Sequence, residues 1–573
     1  VSLTRFGPNT FLSASVTTSD QNPRAMSGQS QAQSSGVDWR REAVQGNYAE
    51  RPPSGPGGPI RIWLYSDRIS YGPGDPIRIS VNTNAQRYSL EIYRDGAHRQ
   101  LVFRRDGIPG TWSATDVNCS ELGCDWPVSA IVSDTESWRS GGFVIKAFAT
   151  SGSDGVVAES EHVVIIGPDR QTRTTGINDR LLLIAATATW TAYNDWGGSN
   201  HYQGLSGPKG NDFSPRLSIR RPYARGFVSI PDEAPRAVLL DQPGILEEPE
   251  YPHMEWAYRN GYSKKYVSAG WASFERRFVI WAEKEGYQVD VISQTDLHND
   301  PTILFGYRCV ATIGHDEYWS WEMRDAIDAY VEGGGCIARF AGNFMWQIRL
   351  EDGGSTQVCY KYTARDRDPL MTTGPRHLVT ESWEAGEIGR PGASTFGLNA
   401  TQGMYASWSG CSPRGAKGFP LYRPDHWAFA QTGLYYGDII GGQSGVFGYE
   451  VDGIGYEIRG GLPFVAPGMV APAGMEILAL GLSSTMEEGD SIKTGQTFLG
   501  REDAEYVAMV LTGSADEASI EKTKRGCGAI VHFERGKGQV FHAGSSDWIM
   551  GLVRDDQIVA QITRNVLDRF LAL

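Results

Sequence analysis

The sequence predicts an α/β protein with an immunoglobulin-like β-sandwich near its amino-terminal side, followed by a parallel-sheet α/β domain. Three observations carry this. Period-two apolar patterning runs from Ile60 to Ile166, strands alternate with helices from residue 180 onward, and a Gly-, Trp- and Tyr-rich stretch over 355–480 interrupts that alternation. The expected organisation is an extended arm over 1–58, a sandwich over 59–167 and the α/β domain over 180–573, with a β-rich insertion over 355–480.

The arm is rich in Ser, Gln, Gly and Pro, and 27–36 is almost wholly small or polar. From Ile60, the residues Ile60, Ile62 and Leu64 alternate with Arg61 and Trp63. A turn at Gly72-Pro73-Gly74-Asp75-Pro76 leads to Ile77, Ile79 and Val81 on one face of the next strand. Further strands fit 88–94, closed by Asp95-Gly96, then 143–148 and 156–166. The stretch 167–178 reads as a polar, basic linker. Leu181-Leu182-Leu183-Ile184-Ala185 is a continuous apolar run, as in a strand covered on both faces. A helix follows with Ser273 as its cap, Phe274, Phe278 and Trp281 on one face and Gly286 as its stop. Strands fit 287–292, 308–313 and 336–340. A helix starting near Ser320 buries Met323, Ala326, Ile327, Tyr330 and Val331. The chain end returns to the sheet at 529–533 and 539–543. Its last helix buries Ile558, Ile562, Val566 and Phe570 at spacing four.

Composition excludes several classes. The 573 residues carry a formal charge of −14, which argues against a nucleic-acid partner. No apolar run reaches membrane-spanning length. The chain opens with no basic segment and apolar run, so the expected location is cytoplasmic. Seven scattered cysteines with no CxxC spacing suit neither a disulfide scaffold nor a zinc ribbon; Cys119 and Cys124 are spaced to allow one bridge. Walker, HExxH, GxSxG and strand-borne GxGxxG signatures are lacking.

In an open parallel sheet, ligands collect beyond the carboxyl ends of strands. That rule selects 189–200, 314–318, Ala341-Gly342-Asn343 and Ala543-Gly544-Ser545-Ser546. Gly314-His315-Asp316-Glu317-Tyr318 is the densest polar cluster directly after a buried strand. An imidazole and a carboxylate there can hold a metal or run acid–base chemistry, and equally can cap the following helix. No Cys follows Ile313, so the nucleophile elbow of class I glutamine amidotransferases has no thiol here. Tyr193 sits in an aromatic, Gly-rich segment at the first strand end, as a metal-facing phenol or a core tyrosine. His253-Met254-Glu255 and His532-Phe533-Glu534 are weaker candidates because neither follows a strand end.

Gly314-His315-Asp316-Glu317-Tyr318-Trp319, Ala341-Gly342-Asn343, Gly448-Tyr449-Glu450-Val451-Asp452 and the 283–298 segment EKEGYQVDVISQTDLH together resemble the large (β) subunit of N,N-dimethylformamidase, over roughly 180–573. The resemblance implies a mononuclear Fe3+ held by two tyrosinates and a carboxylate, hydrolysing a small amide. It assigns Glu317 as the carboxylate ligand and Tyr193 as one tyrosinate, with His315, Asn343 and Glu450 as the polar residues around the metal. The segment expected to carry the second tyrosinate reads Asp212-Phe213-Ser214, and a phenyl ring cannot bind iron. Tyr202 lies nearby as its substitute, and His201 is the other candidate. The resemblance also implies a small-subunit partner, and a homo-oligomer is the other assembly to test. The competing reading is a non-catalytic protein that binds a carbohydrate or polymer on the same fold.

Overall fold

The structure is a computed structural model that describes residues 50–150, 155–169, 179–206, 212–238, 240, 251–406, 417–486 and 501–573. The expectation for the arm falls largely outside these residues, as does most of the 167–178 linker.

Near the amino-terminal side two sheets face each other. One contains Ile62–Ser66, Ile77–Thr83 and Val128–Val132. The other orders Ser70–Tyr71, Val156–Ile166, Gly141–Thr150, Arg87–Arg94 and Gln100–Pro109. Ile77, Ile79 and Val81 meet Leu90, Ile92, Phe143 and Ile145 in one apolar cluster, as the alternation requires. The outer face of the larger sheet is buried too. Val144, Val163 and Ile165 join the main core with Leu181 and Trp271. Glu283 accepts from Arg94 at 2.5 Å, Arg139 at 2.9 Å and the Ala97 N–H at 2.7 Å, tying the sandwich to the helix Glu275–Lys284.

The main sheet has nine strands among the described residues. In spatial order they are Gln288–Ser293, Arg180–Ala185, Cys309–His315, Cys336–Gly342, Gly538–His542, Arg525–Arg535, Glu476–Ser484, Asn399–Tyr405 and Glu450–Gly453. The first five are parallel, as predicted; the rest are antiparallel. The fully parallel sheet is therefore corrected to a mixed one. From the 355–480 region, Asn399–Tyr405, Glu450–Gly453 and the start of Glu476–Ser484 are strands of this sheet.

Ser320 caps the helix Trp321–Gly333, with its hydroxyl accepting from Met323 N–H. The carboxyl-terminal helix Gln557–Ala572 buries Ile562, Val566 and Phe570. Ser273 does not cap the helix assigned to it: that helix begins at Glu275 with Phe274 in the cap position, and the Ser273 hydroxyl donates to Tyr266 O instead. Cys119 and Cys124 are free, buried thiols.

Candidate functional site

The strand Cys309–His315 ends in a backbone that only glycine suits. Gly314 has φ +72°, and a Cβ there would lie 2.3 Å from the Phe274 ring. Past it His315 and Glu317 face each other, Nε2 to carboxylate at 3.3 Å, and Asp316 takes the other side. Asp316 turns into the protein, where Arg339 pairs with it and Trp319 Nε1 donates to it at 2.8 Å. This arrangement removes the helix-capping reading of His315 and Glu317. A short strand, Tyr318–Ser320, intervenes before the helix, and Ser320 supplies the cap.

Glu317 is locked from several sides. Its N–H donates to Thr189 Oγ1 at 3.0 Å, and its carbonyl accepts from Trp346 N–H at 2.9 Å. Trp346 Nε1 donates to Oε1 at 2.6 Å, and Tyr202 Oη reaches Oε1 and Oε2 at 2.8 and 2.9 Å. His315 Nε2 lies 3.3 Å from Glu317 and 2.7 Å from Glu450. Its Nδ1–H donates to Ser268 O at 2.7 Å, with Tyr449 Oη at 2.8 Å. Asn343 follows the strand Cys336–Gly342 at φ +60° and places Nδ2 3.1 Å from His315 Nε2; its Oδ1 has no hydrogen-bond partner among the described residues. Glu450 opens the last sheet strand, and its carbonyl accepts from Ser546 N–H and Oγ. The 543–546 strand end thus supports the cluster through the backbone.

The two phenols come from the first strand end. The strand Arg180–Ala185 leads into a short buried helix, Thr187–Tyr193, which ends on Tyr193. Asn200 then ties the next loop back. Its Nδ2 donates to Tyr193 O at 2.8 Å, and its Oδ1 accepts from the N–H groups of Tyr202 and Gln203. The Tyr193 and Tyr202 rings lie 4.4 Å apart, and Tyr318 Oη donates to Tyr202 Oη at 2.8 Å. Tyr193, His315, Glu317, Asn343 and Glu450 are buried, whereas Tyr202 is half-buried.

The structure thus brings together all six residues singled out in the sequence. Phe213 stands elsewhere, lining a separate cavity of about 170 Å³ with Ser214 and Arg367. His201 stays outside the hydrogen-bonded set: its Nδ1 bonds Ser214 O at 2.7 Å and its ring packs on Tyr318.

Sequence reasoning missed Lys361. It is fully buried, with Nζ 3.2 Å from the Tyr202 ring centre and without a hydrogen-bond partner among the described residues. Burial lowers it to about 7. The only sequence signal was its position in Cys359-Tyr360-Lys361-Tyr362, a lysine among bulky neighbours. Burial also opposes the charge on His315, but Glu450 and then Glu317 overcome it and raise the imidazole to about 9. Burial, reinforced by the Glu317 charge, keeps Tyr193 and Tyr202 protonated far above the usual phenol range. Phenolates here therefore need a compensating cation. Two phenols, a carboxylate and an unpartnered amide oxygen form a hard-donor set that suits a small, highly charged metal ion.

Fold and site define a mixed-sheet α/β protein with a buried tyrosine–histidine–carboxylate cluster at its strand ends. A family model described as N,N-dimethylformamidase beta subunit-like, C-terminal, matches residues 86–560, and the chain belongs to that family. The match starts inside the sandwich, well before the residue-180 boundary that the sequence motifs suggested. The contacts of Arg94 and Ala97 with Glu283 fit that earlier start. A search of curated proteins found no match.

Proposed function

We propose that the chain is an amidohydrolase that cleaves the C–N bond of a small amide at this cluster, with mononuclear Fe3+ held by Tyr193, Tyr202 and Glu317. The carrying observation is the placement of Tyr202 Oη on both oxygens of Glu317, with His315 Nε2 between Glu317 and Glu450. When bound, the ion supplies Lewis acidity toward an amide carbonyl and a bound water. Glu450 accepts the water proton. His315, held protonated by its carboxylate neighbours, gives its Nε2 proton to the leaving amine and is reprotonated by Glu450, 2.7 Å away. Asn343 Nδ2 donates to the oxygen that gains charge. Trp346 and Thr189 keep the Glu317 carboxylate in one orientation.

Family membership supports hydrolysis of an amide. The reading as a non-catalytic binding protein drew its force from Phe213, and Tyr202 supplies the second phenol without it. The immunoglobulin-like character of the sandwich and the glutamine-amidotransferase-like character of the parallel half belong to the same reading, supported by the strand orders above. So does assembly with a small subunit or with further copies of this chain, supported by the subunit name of the family.

Metal analysis of the purified chain tests the proposal together with a visible spectrum and an amine-release assay on small amides, dimethylformamide first. We expect stoichiometric iron and a phenolate-to-iron band that Tyr202→Phe shifts or abolishes. Protein purified without any bound transition metal sinks it.

A further inference from the structure

Beyond the opposite end of the main sheet lies a second group of ligating side chains. His426, Glu476 and His532 each place one donor atom within 4.8 Å of the others. None belongs to the strand-end cluster. Gln539, beside them, pairs with Cys336 at the start of the strand whose far end leads to Asn343. At a strand rise of about 3.3 Å per residue, the two groups stand about 20 Å apart.

Three segments build the arrangement. Glu476 and His532 are direct partners across the antiparallel strands Glu476–Ser484 and Arg525–Arg535, so their side chains leave the same face. His426 comes from the loop before the turn Trp427–Phe429, and its Nε2 lies 3.2 Å from His532 Nδ1. His532 Nε2 lies 3.3 Å from Gln539 Oε1, which can only accept; the ring proton therefore sits on Nε2 and Nδ1 is bare. A histidine that ligates through one nitrogen while donating from the other is the usual metal-site pattern. His426 is half-buried and Glu476 exposed, so a hydrated ion can reach the group.

We propose that His426 Nε2, His532 Nδ1 and a Glu476 oxygen bind one divalent cation of the zinc class, with water completing the shell. Two imidazoles and a carboxylate suit zinc and its neighbours, whereas magnesium and calcium favour all-oxygen sets. Without the ion, Ala428 N–H donates to His426 Nδ1 at 3.3 Å, so the His426 proton sits on Nε2 and faces His532. Binding moves that proton to Nδ1 and gives up this long hydrogen bond; no proton is gained or lost overall. The ion is a structural staple. The His426 loop already holds the carboxyl-terminal helix, because Asn565 Nδ2 donates to Ala428 O and Ala430 O at 3.0 and 2.7 Å. Ligation joins that loop and helix to two sheet strands.

The test uses the full chain, stripped with a chelator and titrated with Zn2+ by calorimetry and thermal melting, in wild type, His426→Gln and Glu476→Ala. The exposed position of Glu476 makes Glu476→Ala safe for the fold. We expect both variants to lose one equivalent of bound Zn2+ and the Zn2+-dependent rise in Tm. Mg2+ should give no rise in any of the three. Gln539→Leu, which touches no ligand atom of the ion, should weaken Zn2+ binding about 10- to 100-fold. Wild-type Zn2+ stoichiometry and affinity in either ligand variant overturns the proposal. Amide hydrolysis is not among the readouts, so the outcome is independent of the strand-end chemistry.

Discussion

The two ends of the nine-stranded sheet gather ligating side chains in different ways. At the carboxyl ends of the parallel strands, the donors ride on backbone forced out of regular strand geometry. Gly314 and Asn343 both have positive φ, and a Cβ on Gly342 would press within 3 Å of the Ser545 and Ser546 backbone. At the other end, Glu476 and His532 sit on paired ladder positions and only His426 comes from a loop. The first cluster is buried and places two carboxylates beside one imidazole, at a cost that the rest of the core must offset. The second lies at the rim and costs the fold little. Buried, strained polar clusters are where a fold invests in chemistry; a rim cluster on regular strands suits a staple.

Glu317 separates the two ends with the largest expected effect. Glu317→Gln keeps the shape and an acceptor for Tyr202 but removes the charge. Amide hydrolysis should fall by about 10³-fold or more, a barrier rise of about 4 kcal/mol, and iron should be lost from the purified protein. Zn2+ binding measured as the His426-dependent equivalent should be unchanged. Retained iron and turnover would remove Glu317, and the strand end with it, from the chemistry.

How far each end was legible follows from the same contrast. The strand-end rule, the apolar run at 181–185 and the strand at 308–313 point to the His315 and Glu317 segment, and the family resemblance supplies the roles. The strands Asn399–Tyr405 and Glu450–Gly453 are not legible one by one, because they are short and lie among Gly, Trp and Tyr without clean alternation. Lys361 was missed because its place in the site comes from burial against Tyr202, which spacing does not encode. The rim cluster was seen only as His532-Phe533-Glu534, and the wrong glutamate was paired with the histidine. Strand register brings in Glu476 instead, 56 positions back in the chain. Ser273 misled because a favoured cap residue one position early found the Tyr266 carbonyl.

A carboxyl group is also buried near the strand ends. Glu275 is buried where its Oε1 accepts from Ala186 N–H at 2.9 Å and Trp190 Nε1 at 3.2 Å, while Oε2 has no hydrogen-bond partner among the described residues. Burial raises its carboxyl to about 8. A raised carboxyl means that the folded state holds the proton more tightly than the unfolded chain does. Its contribution is intact below the ordinary carboxylate range and is lost as pH climbs through about 8. Glu275→Gln should therefore match or trail wild type at pH 5. Above pH 8 it should exceed wild type by about 2 kcal/mol, after allowing for an amide NH2 with no acceptor. Urea denaturation across this range reads it, and parallel profiles for the two proteins would refute the burial argument.

The smallest effect asks whether the two ends are separate at all. Thr189 Oγ1 accepts the Glu317 N–H at 3.0 Å from the buried helix Thr187–Tyr193. Thr189→Val is nearly isosteric and removes only that acceptor. A buried N–H left without a partner costs about 1–2 kcal/mol of stability. Part of that loss should appear as a several-fold weaker hold on iron, because the freed backbone lets the carboxylate turn away from Tyr202. The Zn2+ affinity of the rim should not move, since no strand-end residue contributes to it. If Thr189→Val weakens both ions equally, the sheet transmits the change along its strands and the two ends act as one unit. If it weakens iron alone, the strand end is tuned locally through the Thr189 hydrogen bond to Glu317.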